Sequence, residues 1–146
     1  MVFEGKTYKA KLPPLGFAPL LKAEGGALTV EDERTLVVEN QYLRLSLDKH
    51  TGKITSLYDK NHSREVLSAQ SNEFVFYENI PGWADAWNIE QDFEAFGSKP
   101  TLCGVEVQRG LEATVKLMFR FRNSEVHEKI VVYPDSKWLT YTFPHL

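Results

Sequence analysis

The chain has 146 residues and a mass of 16.7 kDa, which is the size of one ordinary domain. Its hydrophobic share of 42% and charged share of 25% are typical of a globular protein and exclude a disordered one. The net charge is -3, and the basic residues are scattered instead of forming a stripe, so nucleic acid is a poor candidate partner.

The cysteine count and the hydropathy of the sequence indicate where in the cell the protein is expected. Cys103 is the only cysteine, so no disulfide within the chain can form, and a cytoplasmic protein is expected. Residues 1–11 lack the apolar run of a signal peptide, and no segment approaches the ~20 apolar residues of a membrane-spanning helix. We therefore expect no membrane association.

Residues 1–26 are expected to form an extended, proline-containing linker or edge segment. Pro13, Pro14 and Pro19 each fix their own φ angle and bias the preceding residue away from helical geometry. The domain proper is expected at residues 27–146.

Short apolar runs separated by polar turns follow from residue 35 onward. Leu43, Leu45 and Leu47 alternate with Arg44 and Ser46, which puts the leucines on one face of a strand. The polar stretch 48–53 predicts a turn into a second strand at 54–58, and residues 59–64 predict another turn. A further short strand is predicted at 74–77.

The clearest strand signal lies between residues 111 and 121, where every second side chain is apolar. The apolar members are Leu111, Ala113, Val115, Leu117, Phe119 and Phe121. Further strands are predicted at 101–108, 128–133 and 138–143, and Cys103 is expected to be a small buried group in the first of these. The pattern predicts an all-β fold, an antiparallel β-sandwich built from hairpins and meanders.

Residues 78–100 make a stretch too long for a routine connection, which favours a functional loop or lid. Trp83, Trp87 and Phe93 offer flat apolar faces to a pyranose ring, and Asp85 and Asn88 offer hydrogen bonds to its hydroxyl groups. The alternative, and commoner, role of such rings is to close the mouth of the sandwich.

Acidic residues in the same stretch raise the question of catalysis. Retaining glycosidases need two carboxyl groups about 5–5.5 Å apart. Glu90, Asp92 and Glu94 alternate along the chain, so an extended segment would put them on one side, but acidic loop residues are usually only solvated. The histidines are dispersed without the spacing of a zinc site. We therefore expect no catalytic residue and no metal site built from this chain alone.

Five ordered blocks resemble the sandwich domain of glycoside hydrolase family 38 α-mannosidases. They read LPPLG at 12–16, VENQYLR at 38–44, DKHTGKITSLYDK at 48–60, REVL at 64–67, and IP at 80–81 with DAW at 85–87. The resemblance implies that the chain is part of a larger sandwich of the galactose mutarotase-like kind.

The same resemblance implies a retaining mechanism with an aspartate nucleophile, a second carboxylate and a zinc ion held by His and Asp residues. In the family those groups lie in domains upstream of the sandwich, and their motifs do not occur in this sequence. The resemblance therefore implies a chain that is inactive alone, with zinc in the catalytic domain of the full-length enzyme and α-mannoside sugars as its substrates. It also implies that the loop carrying Asp85 and Trp87 faces that catalytic domain.

Three functions stay open at this point. The first is a scaffolding, substrate-lining portion of an α-mannosidase, and the second is a stand-alone carbohydrate-binding sandwich that uses the rings named above. The third is a complete glycosidase or mutarotase-like enzyme acting through Asp85, Glu90 or Asp92. Because a partial sandwich exposes unpaired strand edges, we also predict self-association through them.

Overall fold

A computed structural model describes residues 2–3, 6–9, 21–22, 27–78 and 92–145. In these residues every strand pairing is antiparallel, and one 3₁₀ turn is present without any α-helix, which confirms the predicted all-β class. No helix in the described ranges has both the length and the apolar character needed to cross a bilayer.

Three short strands lie in the first part of the chain and pair in sequence order. They are β1 (Val2–Phe3), β2 (Lys6–Lys9) and β3 (Leu21–Lys22). They fall inside the segment for which the sequence predicted extended backbone.

Five consecutive strands form the first large sheet, each paired with its neighbour in the chain. They are β4 (Leu28–Glu31), β5 (Thr35–Glu39), β6 (Leu43–Asp48), β7 (Ile54–Asp59) and β8 (Arg64–Glu65). The predicted hairpin between β6 and β7 is confirmed. Its turn is held by Asp48, whose Oδ1 accepts hydrogen bonds from the backbone N–H groups of His50 at 2.8 Å and Thr51 at 3.2 Å.

Two short strands, β9 (Phe76–Tyr77) and β10 (Gly97–Ser98), form a separate two-stranded sheet. The second large sheet has four strands in sequence order: β11 (Thr101–Arg109), β12 (Ala113–Phe121), β13 (Ser124–Val132) and β14 (Leu139–His145). The strand predicted at 74–77 is therefore shorter than expected, and the one predicted at 128–133 begins four residues earlier, at Ser124.

The two large sheets pack face to face through one hydrophobic core, so the predicted sandwich is confirmed. Strands β5 to β7 contribute Leu36, Val38, Leu43, Leu45, Leu47 and Ile54, and strands β12 and β13 contribute Ala113, Val115, Leu117, Phe119, Val126, Ile130 and Val132. These side chains are at most 6% exposed. The period-two alternation seen in β6 and β12 builds the two inner faces.

Gly52 lies where the β6–β7 turn meets the opposite sheet. Its φ of +73° is a left-handed conformation that favours glycine, and a Cβ atom there would lie 2.7 Å from the ring of Phe119. The turn can therefore approach the core only because residue 52 has no side chain.

The expectation that Cys103 is buried was wrong. Leu102 pairs with Phe119 and Gly104 pairs with Met118, so Cys103 is the extra residue of a β-bulge and its side chain is exposed. Its Sγ lies 3.4 Å from the carbonyl oxygen of Thr101. The bulge interrupts the alternation that would have turned this side chain inward.

Candidate functional site

Of the residues that the sequence singled out for sugar contact, Phe93 lies within the described part of the chain. It opens the 3₁₀ turn Phe93–Phe96, and its ring meets the ring of Tyr77 edge to face, with centroids 4.9 Å apart. Trp83, Asp85, Trp87 and Asn88 lie outside the described residues, as does Glu90. The predicted sugar-lining set is therefore observed only at its last member.

The described residues on the two sides of 79–91 pair with one another. Tyr77 of β9 pairs with Gly97 of β10, and the backbone N–H of Glu78 donates to the carbonyl oxygen of Phe96 at 3.3 Å. A Cβ atom at Gly97 would lie 3.1 Å from the Tyr77 ring, so the pairing is tight.

Aromatic contacts fasten this two-stranded sheet to β12. The Phe76 ring stacks on Phe121 with centroids 4.4 Å apart and an interplanar angle of 10°. The Arg122 guanidinium lies 5.4 Å from the Phe121 centroid and 3.2 Å from the Glu78 carboxylate. The described residues on either side of 79–91 are therefore packed against β12.

Asp92 and Glu94, the two described members of the acidic cluster, are both exposed. Asp92 precedes the 3₁₀ turn without making a side-chain capping bond, and Glu94 lies in its first turn. Within the described ranges, no group of three or more His, Cys, Asp or Glu residues could hold a metal ion.

A second candidate site, which the sequence did not predict, is a cleft of about 400 Å³ where the β6–β7 side of the first sheet meets the start of β14. Its wall contains Tyr42, Leu43, Leu57, Tyr58, Asp59, Asn61, His62, Val66, Lys137, Trp138 and Leu139. We refer to it as the Tyr42–Trp138 cleft. Trp138 at its rim is 79% exposed, which is high for the largest apolar side chain.

One wall of the cleft is organised by Asp59 at the end of β7. Its Oδ1 accepts from the backbone N–H groups of Asn61 at 2.9 Å and His62 at 3.3 Å. Its Oδ2 lies 2.7 Å from Nδ1 of His62, and this bond, with the two backbone donors, holds the pKa of the Asp59 carboxyl below its usual value. Asp59 is therefore an anion with its imidazole neighbour fixed in place.

The opposite wall is held by Asn40, a side chain only 7% exposed. Its Nδ2 donates to the carbonyl oxygens of Tyr133 at 2.6 Å and Ser136 at 2.8 Å. Its Oδ1 accepts from the backbone N–H groups of Tyr42 and Leu43, both at 2.8 Å. All four hydrogen-bonding positions of one amide are thus used to join the β5–β6 turn to the β13–β14 connection, which carries Trp138.

A third polar feature lies in the core, where the sequence pattern placed only apolar groups. Glu128 is 1% exposed, its Oε2 accepts from Nδ2 of Asn72 at 2.9 Å, and its Oε1 has no hydrogen-bond partner. Burial raises the pKa of this carboxyl, and the bond from Asn72 only partly opposes that rise. Partial burial of the hydroxyl end of Tyr141, whose side chain is 40% exposed, and the nearby Glu128 raise the pKa of Tyr141 to about 12.

The sequence reasoning missed the Tyr42–Trp138 cleft because its residues come from three separate segments. One signal was present: Trp138 follows Pro134, Asp135 and Ser136, so a large aromatic side chain stands directly beside a predicted turn. Such a residue at a strand end is often exposed and available for contacts.

A comparison with protein families and a comparison with individual proteins point to the same family. The sequence profile of the family described as "Glycosyl hydrolases family 38 C-terminal domain" matches residues 38–143. The chain is 27% identical over 128 residues to alpha-mannosidase 2C1 of Homo sapiens, and 27% identical over 127 residues to alpha-mannosidase 2C1 of Mus musculus. Each alignment covers 82% of this chain, which spans 12% of the length of either relative.

Proposed function

This chain belongs to the glycosyl hydrolase family 38 through that family's C-terminal domain, and from this premise we propose that it is the scaffolding sandwich portion of an α-mannosidase. The observation that carries the proposal is the extent of the family match, 38–143, which takes in most of both packed sheets. The substrates proposed are α-mannosides, in keeping with the activity that the relatives' names state.

The proposed contribution to the sugar site is a braced loop. The described residues that flank 79–91 belong to β9 and to the segment leading into β10, and the Phe76–Phe121 stack packs these strands on β12. We propose that Trp83, Asp85, Trp87 and Asn88 contact the sugar from between these flanks. Phe93, which follows these residues in the sequence, is the last member of the proposed sugar-contacting set. Sites presented by a rigid scaffold keep their contact groups at defined positions, which is what recognition of a sugar requires.

The chain is proposed to be inactive by itself, and zinc is proposed to bind in another part of the full-length enzyme. The described residues do not fit a zinc centre, since they bring together no set of three metal-ligating side chains. The described acidic residues of the cluster, Asp92 and Glu94, are exposed, as solvated carboxylates on a protein surface commonly are.

An aryl α-mannoside assay with the purified chain, with and without added zinc, tests this reading. We expect release of the aryl group at the buffer rate in both cases. Turnover above that rate, lost in an Asp92→Asn variant and kept in an exposed Asp135→Asn control, would instead favour a complete enzyme.

A stand-alone sugar-binding role for the loop is the second candidate, favoured by the half-buried ring of Phe93 beside the exposed Tyr77. Tryptophan fluorescence of a Trp138→Phe variant during titration with mannobiose separates the two functions, because its remaining tryptophans, Trp83 and Trp87, both belong to the 78–100 stretch. A saturable change means that the chain binds sugar without its neighbouring domains, and a flat response leaves the scaffold role.

Self-association is also proposed, through the edge of the four-stranded sheet. Strand β14 lies at the end of that sheet, and its side chains Tyr141 and Phe143 are 40% and 48% exposed. In the part of the chain that the structure describes, no strand pairs with the outer side of β14, and a sheet edge that carries exposed rings favours strand addition. A cytoplasmic location stays a prediction.

A further inference from the structure

We propose that the Tyr42–Trp138 cleft is a binding site for a neutral pyranose unit of a glycan, formed by residues other than those of the loop 79–91. The cleft is concave, and its volume of about 400 Å³ falls in the range of about 300–1,000 Å³ that small-ligand sites occupy. The argument rests on its apolar surfaces, its polar groups and its rigidity.

The apolar surfaces are aromatic and accessible. Tyr42 and Tyr58 are half-buried, Trp138 is 79% exposed, and all three rings line the same cleft. A pyranose has one face of C–H groups, which packs on a flat ring and removes both surfaces from water. An exposed tryptophan gains the most from such a contact because its apolar area is the largest.

The polar groups match hydroxyls better than charges. Asp59 is a carboxylate whose Oδ2 carries one hydrogen bond, from His62, and so keeps acceptor capacity toward the cleft. Lys137 on the other wall supplies a positive charge, and its Nζ lies 5.7 Å from the centroid of Tyr42. With both signs present, an anionic or cationic ligand would meet one repelling group, whereas a neutral polyol can bond to both.

Rigidity comes from the buried Asn40 bonds. These join the segment that carries Tyr42 to the segment that carries Lys137 and Trp138, so the two walls keep their spacing before any ligand arrives. The Asp59 bonds do the same for the turn with Asn61 and His62. A preformed site loses less conformational entropy on binding.

The experiment uses the chain's own three tryptophans as position-specific reporters. In ¹H–¹⁵N spectra each indole N–H gives one signal, and a Trp138→Phe variant assigns the signal of the cleft. The signals of Trp83 and Trp87 then report on the loop. The probes are mannobiose and, as a competing class of occupant for an aromatic-lined groove, a short polyproline peptide.

We expect mannobiose to shift the Trp138 signal in a saturable way. Trp138→Ala should weaken this binding at least about ten-fold, as truncation of an aromatic anchor commonly does. Because that substitution removes the reporter, binding to the variant is followed by calorimetry. Tyr141→Ala, which removes a ring of strand β14 outside the cleft, should leave the affinity unchanged.

Two outcomes would overturn the proposal. If mannobiose moves only the Trp83 or Trp87 signals, the sugar binds the 78–100 stretch, which supports the second candidate function above and removes the cleft as a sugar site. If the polyproline peptide moves the Trp138 signal and the sugar does not, the cleft is a peptide groove. The failure of this proposal is thus distinguishable from the failure of the loop proposal.

Discussion

Replacing Asn40 with aspartate should destabilise the fold through the loss of a single pair of donors. Aspartate keeps the oxygen that accepts from Tyr42 and Leu43, and it replaces the Nδ2 group that donates to the carbonyl oxygens of Tyr133 and Ser136 at 2.6 and 2.8 Å. Size and shape hardly change, so the perturbation is electrostatic. Two carbonyl oxygens then face a carboxylate oxygen.

The magnitude follows from the burial. A buried polar group left without its partner costs about 1–3 kcal/mol, and two such groups are created, so the loss lies between about 2 and 6 kcal/mol. The Lys60 ammonium donates to the backbone carbonyl oxygen of residue 40, and its positive charge offsets part of the introduced negative charge. We therefore expect a free energy of unfolding lower by about 2–4 kcal/mol at neutral pH.

Urea unfolding followed by circular dichroism and tryptophan fluorescence measures this loss. The matched control is Gln41→Glu, which makes the same amide-to-carboxylate change one residue along, where the side chain is exposed and lies 3.2 Å from the carboxylate of Asp135. The control should change stability by less than about 1 kcal/mol. At low pH, protonation of the introduced carboxyl restores one donor, so roughly half of the loss should return.

Equal stabilities of Asn40→Asp and Gln41→Glu would refute the idea that Asn40 holds the two sheets together at the cleft. The same result would weaken the argument for a preformed binding site, because the spacing of the walls would then have another cause.

Three further predictions concern the core and the sheet edge. Burial raises the folded-state pKa of Glu128, so the stability linked to its protonated form is complete below the unfolded value of 4.5 and is lost as pH rises through the folded value. Glu128→Met should therefore stabilise the protein at neutral pH, with the gain shrinking toward acid in pH-dependent urea titrations, and a pH-independent gain would contradict this. Gly52→Ala should lower the free energy of unfolding by about 1–3 kcal/mol, because φ at residue 52 is +73° and the new Cβ would lie 2.7 Å from the Phe119 ring. Gly110→Ala is the control, since its Cβ would lie 3.7 Å from the nearest atom, the backbone oxygen of Glu112, and it should cost far less in the same titration. Sedimentation should show mass rising with concentration, and Tyr141→Lys at the β14 edge should reduce that rise; a strictly monomeric chain would rule out edge pairing.

The main strands could be predicted from the alternation of apolar and polar side chains along short stretches of the sequence. The leucines of β6 and the alternating set of β12 lie on one face because backbone geometry alone decides where successive side chains point. Turn chemistry is equally local, and the Asp48 bonds to His50 and Thr51 lie within three residues. The exception is Cys103, where a bulge in the pairing of β11 with β12 interrupts the alternation.

The sequence alone therefore determined the all-β class and the main strands, since these depend on residues close together in the chain, and its five ordered blocks carried the family resemblance. Only the tertiary structure decided the cleft and the buried acid. Asn40 reaches carbonyl groups 93 and 96 residues away, and Glu128 meets Asn72 across 56 residues. Which segments a packed sandwich brings together depends on how two sheets align, and period-two alternation holds no information about that alignment.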